Sequence, residues 1–596
     1  MKSQSVKAIS VILALVILVT MLGLFGRGGG TDYSATIEQM TAFIEQKMQE
    51  NDVTGLSIAL VDGQRVVWAE GFGYGDKENG TKATADTIYE IGSISKTITA
   101  TAVMHAQDNG LLDIDDHLTK YLPEFSILPP LGFDPEPDNP ITIRTMLTHH
   151  SGIPGNFLNG DLTLHPRTDY DAWLLDYLRD DYACFPPNFV HAYSNSAYCL
   201  LADVVAAASG QSWEEYTDSM FETMGMEHTS YYLDKPFLKE NRARGYFSGE
   251  PLEHFYNSHV GAGSVLSTVS DMAEYIKMVL AHGWSVGGQV LRPETLDEML
   301  TPQDLGIALD AVKWSRVGLA WGLSDPELEY AGRVCAHDGA TLGFCSHLQI
   351  LLDQQLGVVI LTNSDQKNAL NVIVEIGRET LKLAVKDKSG IDPVEPSGPT
   401  YSAHTTWPQE KLEALAGVYV TEAGYDLITA VPGGLEWIAD GGTPQRLVPL
   451  ENGRLAPPDS QEFQIEFTTI AGRDVMVFYS VYTYVRGDRY DPVPTPAIWS
   501  NRLGQYEITN LYPDDCSRYL PEELRLVPRS IDLAERDGML VIRYPIQGTV
   551  TWLVLEPLSD TVALIRGLGS DRGGAVQIVM VDGQEHIQLW GSLYAK

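Results

Sequence analysis

At 596 residues the chain is too long for one hydrophobic core, and its 44% hydrophobic and 20% charged content describes a globular protein of roughly two to four domains. Its 41 Lys and Arg against 79 Asp and Glu leave a net charge of −38, which argues against nucleic acid and anionic membrane surfaces as partners, since no basic patch can release their counterions. Five cysteines, none in a C-x-x-C pair, give no support to a zinc or redox motif.

Lys2 and Lys7 precede an apolar run over residues 8–26, interrupted only by Ser10 and Thr20. A basic flank followed by an apolar segment of about 20 residues is an export signal long enough to span a bilayer. No small-x-small cleavage site precedes Arg27, so the run is expected to remain as an N-terminal anchor, with the rest of the chain outside the cytoplasm; a cleaved segment would make the protein secreted. After the Gly28-Gly29-Gly30 spacer, Ile37, Met40, Phe43, Ile44 and Met48 recur at helical spacing over residues 34–50. Two strand-like runs, 55–61 and 65–70, follow and meet at Asp62-Gly63, a hairpin signal. The opening is therefore α+β with antiparallel strands. No Gly-x-Ser-x-Gly surrounds Ser93, which counts against the nucleophile elbow of α/β hydrolases.

Three stretches carry candidate chemistry. The first, residues 91–100, reads as a loop feeding a helix, with Ser93 and Lys96 three apart and so on one face. A serine hydroxyl is a poor nucleophile until a base removes its proton, and a lysine amine one turn away is that base once burial or neighbouring positive charge lowers its pKa. The free N–H groups of a helix N-terminus suit a forming oxyanion. Next, residues 141–154 read as a short helix ending in a Gly/Pro turn; adjacent His149 and His150 diverge on a helix, so loop packing is expected there rather than a metal site. The second stretch is His191–Ser196, where alternate residues Tyr193 and Asn195 face the same way. Near an ammonium group the phenol can shuttle protons, and the amide can hold a substrate carbonyl. The third is Cys335–Cys345, followed by strand-like segments 346–352 and 357–361. His337-Asp338-Gly339 at the end of an edge strand would let a substrate backbone lie alongside Gly339, and the Ala340 N–H would join that of Ser93 in an oxyanion hole. In an exported chain Cys335 and Cys345 are a candidate disulfide. Each stretch alone has a bland alternative: a helix-capping serine, a solvated lysine, a loop tyrosine, a structural histidine.

Together and in this order, S-x-x-K, Y-x-N and H-x-G resemble the serine β-lactamase-like family, and most of all its class C β-lactamase, D-aminopeptidase and D,D-peptidase branch. The flanking residues Leu147–Gly152, Gly225–Thr229, Gly261-Ala262-Gly263 and Ser267–Asp271 extend the resemblance over residues 35–385. It implies an antiparallel sheet flanked by helices, a helical lobe, and an active site between them. It also implies Ser93 as the acylated nucleophile, Lys96 and Tyr193 as the proton-transfer pair, and Asn195, His337, Gly339 and Ala340 as substrate-binding positions, with no metal or organic cofactor. Two departures stand out. Pro187-Asn188 replaces the common Pro-Gly, and His-Asp-Gly replaces the Lys-Thr-Gly of true β-lactamases, whose lysine serves a substrate carboxylate.

Past Asn363 one more helix (369–385) leads into a Pro/Gly-rich linker at 389–399, after which the chain turns strand-rich, with β runs at 475–484 and 539–544 and tight turns at Asp537-Gly538 and Asp582-Gly583. Leu415–Tyr419 and Leu503–Tyr506 form a faint repeat, separated by a second linker at 492–496. The expected plan is an anchor and spacer (1–30), a catalytic domain (33–388), a linker (389–409) and two small antiparallel barrel-like domains (410–491 and 497–596) that resemble the lipocalin-like domains appended to some D-aminopeptidases; they would wall off the cleft or restrict substrate size, the alternative being passive or surface-binding domains. The expected function is a serine hydrolase acting on a small peptide, amide or ester substrate, D-amino-acid amides included. A carboxylesterase with the same residues, a β-lactamase, and a non-catalytic sensor are the alternatives.

Overall fold

The computed structural model describes residues 30–596 apart from 135–138, 156, 234, 312–315, 366–367, 423 and 570–572. The apolar run at 8–26 therefore lies outside the described residues, and among those described no helix is long and apolar enough to cross a membrane.

Helix α1 (Ser34–Glu50) buries Met40, Ile44 and Met48 along one stripe, as their spacing dictates. Strands β1 (Gly55–Asp62) and β2 (Arg65–Asp76) form the expected hairpin, closed at Asp62↔Arg65 with Gly63 at φ 58°. β2 runs on past Glu70 because its glycines are needed there: a Cβ on Gly71 would come within 2.3 Å of the Ala83 backbone. The short strand β3 (Thr81–Lys82) pairs with β2. Helix α2 (Ser95–Asp108), helix α3 (Asn195–Ser209) and helix α4 (Val269–Leu280) follow, then strands β4 (Val334–Thr341), β5 (Phe344–Leu351) and β6 (Leu356–Thr362), and helix α5 (Ala369–Ser389). The six strands form one sheet in the order β4-β5-β6-β1-β2-β3, with β4 on an edge. Both of its faces are covered: Leu56, Ile58 and Leu60 pack with α1 and α5, while Ala59 and Val61 face the core shared with α2, α3 and α4. This explains why β1 and β6 read as near-continuous apolar runs rather than alternating ones.

Cys335 and Cys345 remain buried thiols. The register sets Cys345 opposite Ala340 and Cys335 opposite Ile350, five residues of strand apart and far beyond disulfide reach.

Two closed eight-stranded barrels complete the chain, one between Gly417 and Tyr490 and one between Gly504 and Ala595. The expected single run 475–484 is two strands, Arg473–Tyr479 and Thr483–Tyr490, turned at residues 480–482. The turns at Asp537-Gly538 and Asp582-Gly583 form with both residues at positive φ, which suits the twist of a tight hairpin. The faint repeat has a structural meaning. Gly417 and Gly504 open the first strand of each barrel at φ 153° and 135°, and the tyrosine two residues on donates its hydroxyl to the carbonyl four residues back, Tyr419 to Leu415 and Tyr506 to Arg502.

The barrels pack on the α+β domain rather than trailing from it. Val475 and Val477 of the first share a core with Phe185, Val190 and Ala192. The second shares the core of the helical lobe, and Gly591 approaches the Trp173 ring so closely that a Cβ would stand 2.9 Å from it.

Candidate active site

Ser93 sits in a short 3-10 turn (Gly92–Ile94) that runs into α2. Gly92 (φ 49°) lets this turn approach β4, since a Cβ there would lie 2.7 Å from Ala340 N. Gly339 does the same from the strand: its Cβ would meet Ile91 O at 2.2 Å, Ser346 Oγ at 2.3 Å and Ser93 N at 3.0 Å. The glycines of the first and third motifs are thus two sides of one backbone contact. Ala336 N–H leaves the β4 edge outward, to Gly322 O at 2.8 Å, and the two-residue period puts Ala340 N–H on that same edge, beside Ser93.

Lys96 is fully buried, and its Nζ donates to Ser93 Oγ at 3.0 Å and to Ala262 O at 2.8 Å. Burial lowers its pKa to about 7, against a smaller opposing pull from the surroundings that include Asp161. The Ala262 carbonyl reaches the lysine because Gly261 packs directly on α3, where a Cβ would stand 2.2 Å from Tyr198 O. Lys96 Nζ also lies 4.8 Å from the Tyr193 ring centroid.

Tyr193 is held by residues the sequence reading assigned to loop packing. His149, at φ 60°, stacks on the Tyr193 ring with centroids 4.2 Å apart, and its Nδ1 accepts the Ser194 N–H at 3.0 Å. Nδ1 is therefore the acceptor, and burial with the nearby His191 and Lys96 charges keeps the ring neutral, well below its ordinary pKa. His150 pairs with Asp310 at 2.9 Å, and the same carboxylate accepts His191 N–H at 2.9 Å, tying the two loops together. Ser194 caps α3 through Ala197 N, placing Asn195 at its first turn.

Ser93, Asn195 and Ala340 line one cavity of about 240 Å³, with Asp161, Asn257, His259 and Asp365 as further polar walls. Leu526 and Gln547 line it from the second barrel. His337 is not among its lining residues. It stands farther along β4, half-buried, donating from Nδ1 to Asp338 O at 2.6 Å, and the packing around its ring with the Lys96 charge holds it at about pKa 4. Sequence reasoning missed Asp161, Asn257, His259 and the barrel residues, none of which lies in a motif. Among the described residues no group of three or more His, Cys, Asp or Glu is placed to hold a metal ion.

Known proteins share this architecture. Penicillin-binding protein 4 of Amycolatopsis lactamdurans is 28% identical over 344 residues, covering 56% of this chain and 86% of its own. Two solved structures superpose over 76% of this chain: the octameric penicillin-binding protein homologue from Pyrococcus abyssi (23% identity, TM-score 0.51, all of that chain) and SurE with D-Leu (21% identity, TM-score 0.53, 99% of that chain). At those identities they show the fold alone. Residues 40–375, more than half of the sequence, match the Beta-lactamase family, and with the serine–lysine contact standing inside that span, this chain belongs to that family of serine hydrolases that work through an acyl-enzyme.

Proposed function

We propose that this chain cleaves amide bonds of small peptides, D-amino-acid amides included, through an acyl-enzyme on Ser93. The observation that carries the reading is the buried Lys96 amine 3.0 Å from Ser93 Oγ with its pKa near 7. In its neutral form Lys96 takes the hydroxyl proton as Oγ bonds to the substrate carbonyl carbon. The N–H groups of Ser93 and Ala340 receive the oxyanion, and Asn195 steadies the substrate from the α3 side. Tyr193, beside the lysine, passes the proton to the departing amine as the C–N bond breaks, and water then releases the acyl group. Gly339 keeps β4 open for a substrate backbone, and His337 serves farther along the same strand. The unit 33–388 carries this chemistry, residues 389–409 link it to the domains 410–491 and 497–596, and the apolar run 8–26 with its lysine flank supports export and anchoring of the whole.

The test compares a D-alanyl anilide with a short-chain nitrophenyl ester, using the chain lacking residues 1–30 and its Ser93→Ala variant. Anilide cleavage lost in the variant supports the amide reading. Cleavage of the ester alone makes the protein an esterase, and Ser93-independent turnover removes the serine from the mechanism.

A further inference from the structure

The cavity beside Ser93 contains a buried carboxylate that acyl transfer does not use. Asp161 is 7% exposed, lines the cavity together with Ser93 and Asn195, and its Oδ1 has no hydrogen-bond partner among the described residues. His259 Nδ1 lies 3.0 Å from that oxygen but out of line for a hydrogen bond, while His259 Nε2 engages the Tyr170 hydroxyl at 2.5 Å. Arg167, on the neighbouring turn, is committed elsewhere, to Asn159 O and Asp169. A buried carboxylate oxygen without a donor is costly, and a cation arriving with the substrate would offset that cost.

The rest of the cavity has the same preference. Asp365 lines another wall, and no Lys or Arg is among the lining residues. Among the described residues, a substrate carboxylate would meet two acids, with only Lys96, which the reaction needs neutral, and His259, already 3.0 Å from Asp161, as groups able to carry positive charge. The position of Asp161 is also built. Ser258 N–H binds its carbonyl at 2.7 Å from within the α+β domain. From the second barrel, the Asp515 carboxylate accepts Gly160 N–H at 2.6 Å and Tyr512 N–H donates to Asn159 Oδ1 at 2.8 Å. Two domains thus hold one turn so that its aspartate faces the cavity.

We infer that Asp161 receives a protonated amine of the substrate, so that the preferred substrates are small amides whose acyl part carries a free ammonium group. The inference rests on the acyl-transfer reading of Ser93. An α-amino group, with a pKa of about 8, is largely protonated at neutral pH. A cavity of about 240 Å³, below the ~300 Å³ at which ligand pockets usually begin, suits a single small residue.

The test measures kcat/KM of the wild-type, Asp161→Asn and Asp161→Glu chains on alanine p-nitroanilide and N-acetylalanine p-nitroanilide, each as D and L forms. The expected result is a preference of roughly tenfold to a hundredfold for the free amine, lost in Asp161→Asn through the amine substrate alone and partly kept in Asp161→Glu. Equal turnover of both substrates by the wild type overturns the inference. So does an Asp161→Asn variant that loses both substrates equally, since that is what a purely structural aspartate would do. Absence of Ser93-dependent turnover on either anilide, or on a nitrophenyl ester, would strike at the acyl-transfer reading instead. The amine question is then decided by calorimetry on the Ser93→Ala chain. Tighter binding of alaninamide than of N-acetylalaninamide, abolished by Asp161→Asn, supports the subsite; equal or absent binding overturns it.

Discussion

The His149 ring lies on the Tyr193 ring with planes 29° apart, and 44 residues of chain separate the two. The stack packs His149 against the phenol that stands beside Lys96, so under the proposed mechanism His149 would act through Tyr193 rather than on the substrate. His149→Asn keeps a residue tolerant of the left-handed backbone at φ 60° while removing the ring. Loss of one stacked pair costs about 1 kcal/mol of stability. The expected outcome is a drop in kcat of roughly tenfold or more with KM little changed. Steady-state kinetics beside a thermal melt would check it; a kcat that falls only as far as the folded fraction does would leave His149 a packing residue.

Lys96 makes a pH prediction in two observables. Because its folded pKa is about 7, the neutral amine that accepts the serine proton accumulates as pH rises through 7, so kcat/KM should climb with a midpoint there. Lys96→Ala should lose roughly 10²–10⁴-fold and the limb with it. The same shift bears on folding. An unfolded lysine keeps its proton to about pH 10.4, so between the folded and unfolded values the unfolded chain binds more protons and stability rises with pH. Relative to Lys96→Met, whose side chain does not titrate, wild-type stability should be lowest below pH 7 and improve by up to an amount on the order of 5 kcal/mol by pH 10.5. Chemical denaturation of both chains across that window measures the difference.

How much of this was legible in the sequence depends on how locally each feature is made. Ser93 and Lys96 can be read because the chemistry needs them one helical turn apart, and Tyr193–Asn195 because a capped helix start sets their spacing. The barrel repeat was legible through Gly417 and Gly504, whose positive φ and following tyrosine define the same corner twice. Asp161 was not, since it reaches the cavity only through a turn held from residues 258 and 515. The packing role of His149 was legible, but its partner Tyr193 was not, because that partner is chosen by how two distant loops are tied at Asp310. His337 sits on the expected strand yet outside the cavity, a distinction of a few residues along β4 that no motif encodes.

Gly339 makes the sharpest steric prediction. Three contacts meet a Cβ at or under 3.0 Å, and two of them, Ile91 O and Ser93 N, are backbone of the turn that presents the nucleophile. Backbone cannot swing aside as a side-chain tip does, so Gly339→Ala must push β4 and the Ser93 turn apart. That spoils the alignment of Ser93 N–H with Ala340 N–H, and a lost oxyanion donor costs about 10²–10³-fold in kcat. The variant should still fold, since the displacement is confined to a sheet edge. Activity within a few-fold of wild type would refute the paired-donor arrangement.

The second barrel holds the turn that carries Asp161 through Asp515. Its Oδ2 accepts Gly160 N–H at 2.6 Å and its Oδ1 accepts Ser517 N–H at 2.7 Å, both within a fully buried seam. Asp515→Ala leaves two buried donors unmatched, each worth about 1–3 kcal/mol, and frees the turn that carries Asp161. Ser93, Lys96 and Tyr193 are held by other contacts, so the serine–lysine pair should survive. The expected signature is therefore a lower melting temperature with KM for small amides raised several-fold and kcat nearly kept. If the barrel were a passive appendage, Asp515→Ala would lower the melting temperature and leave KM where it was; if KM rises, the wall it holds is part of the substrate site.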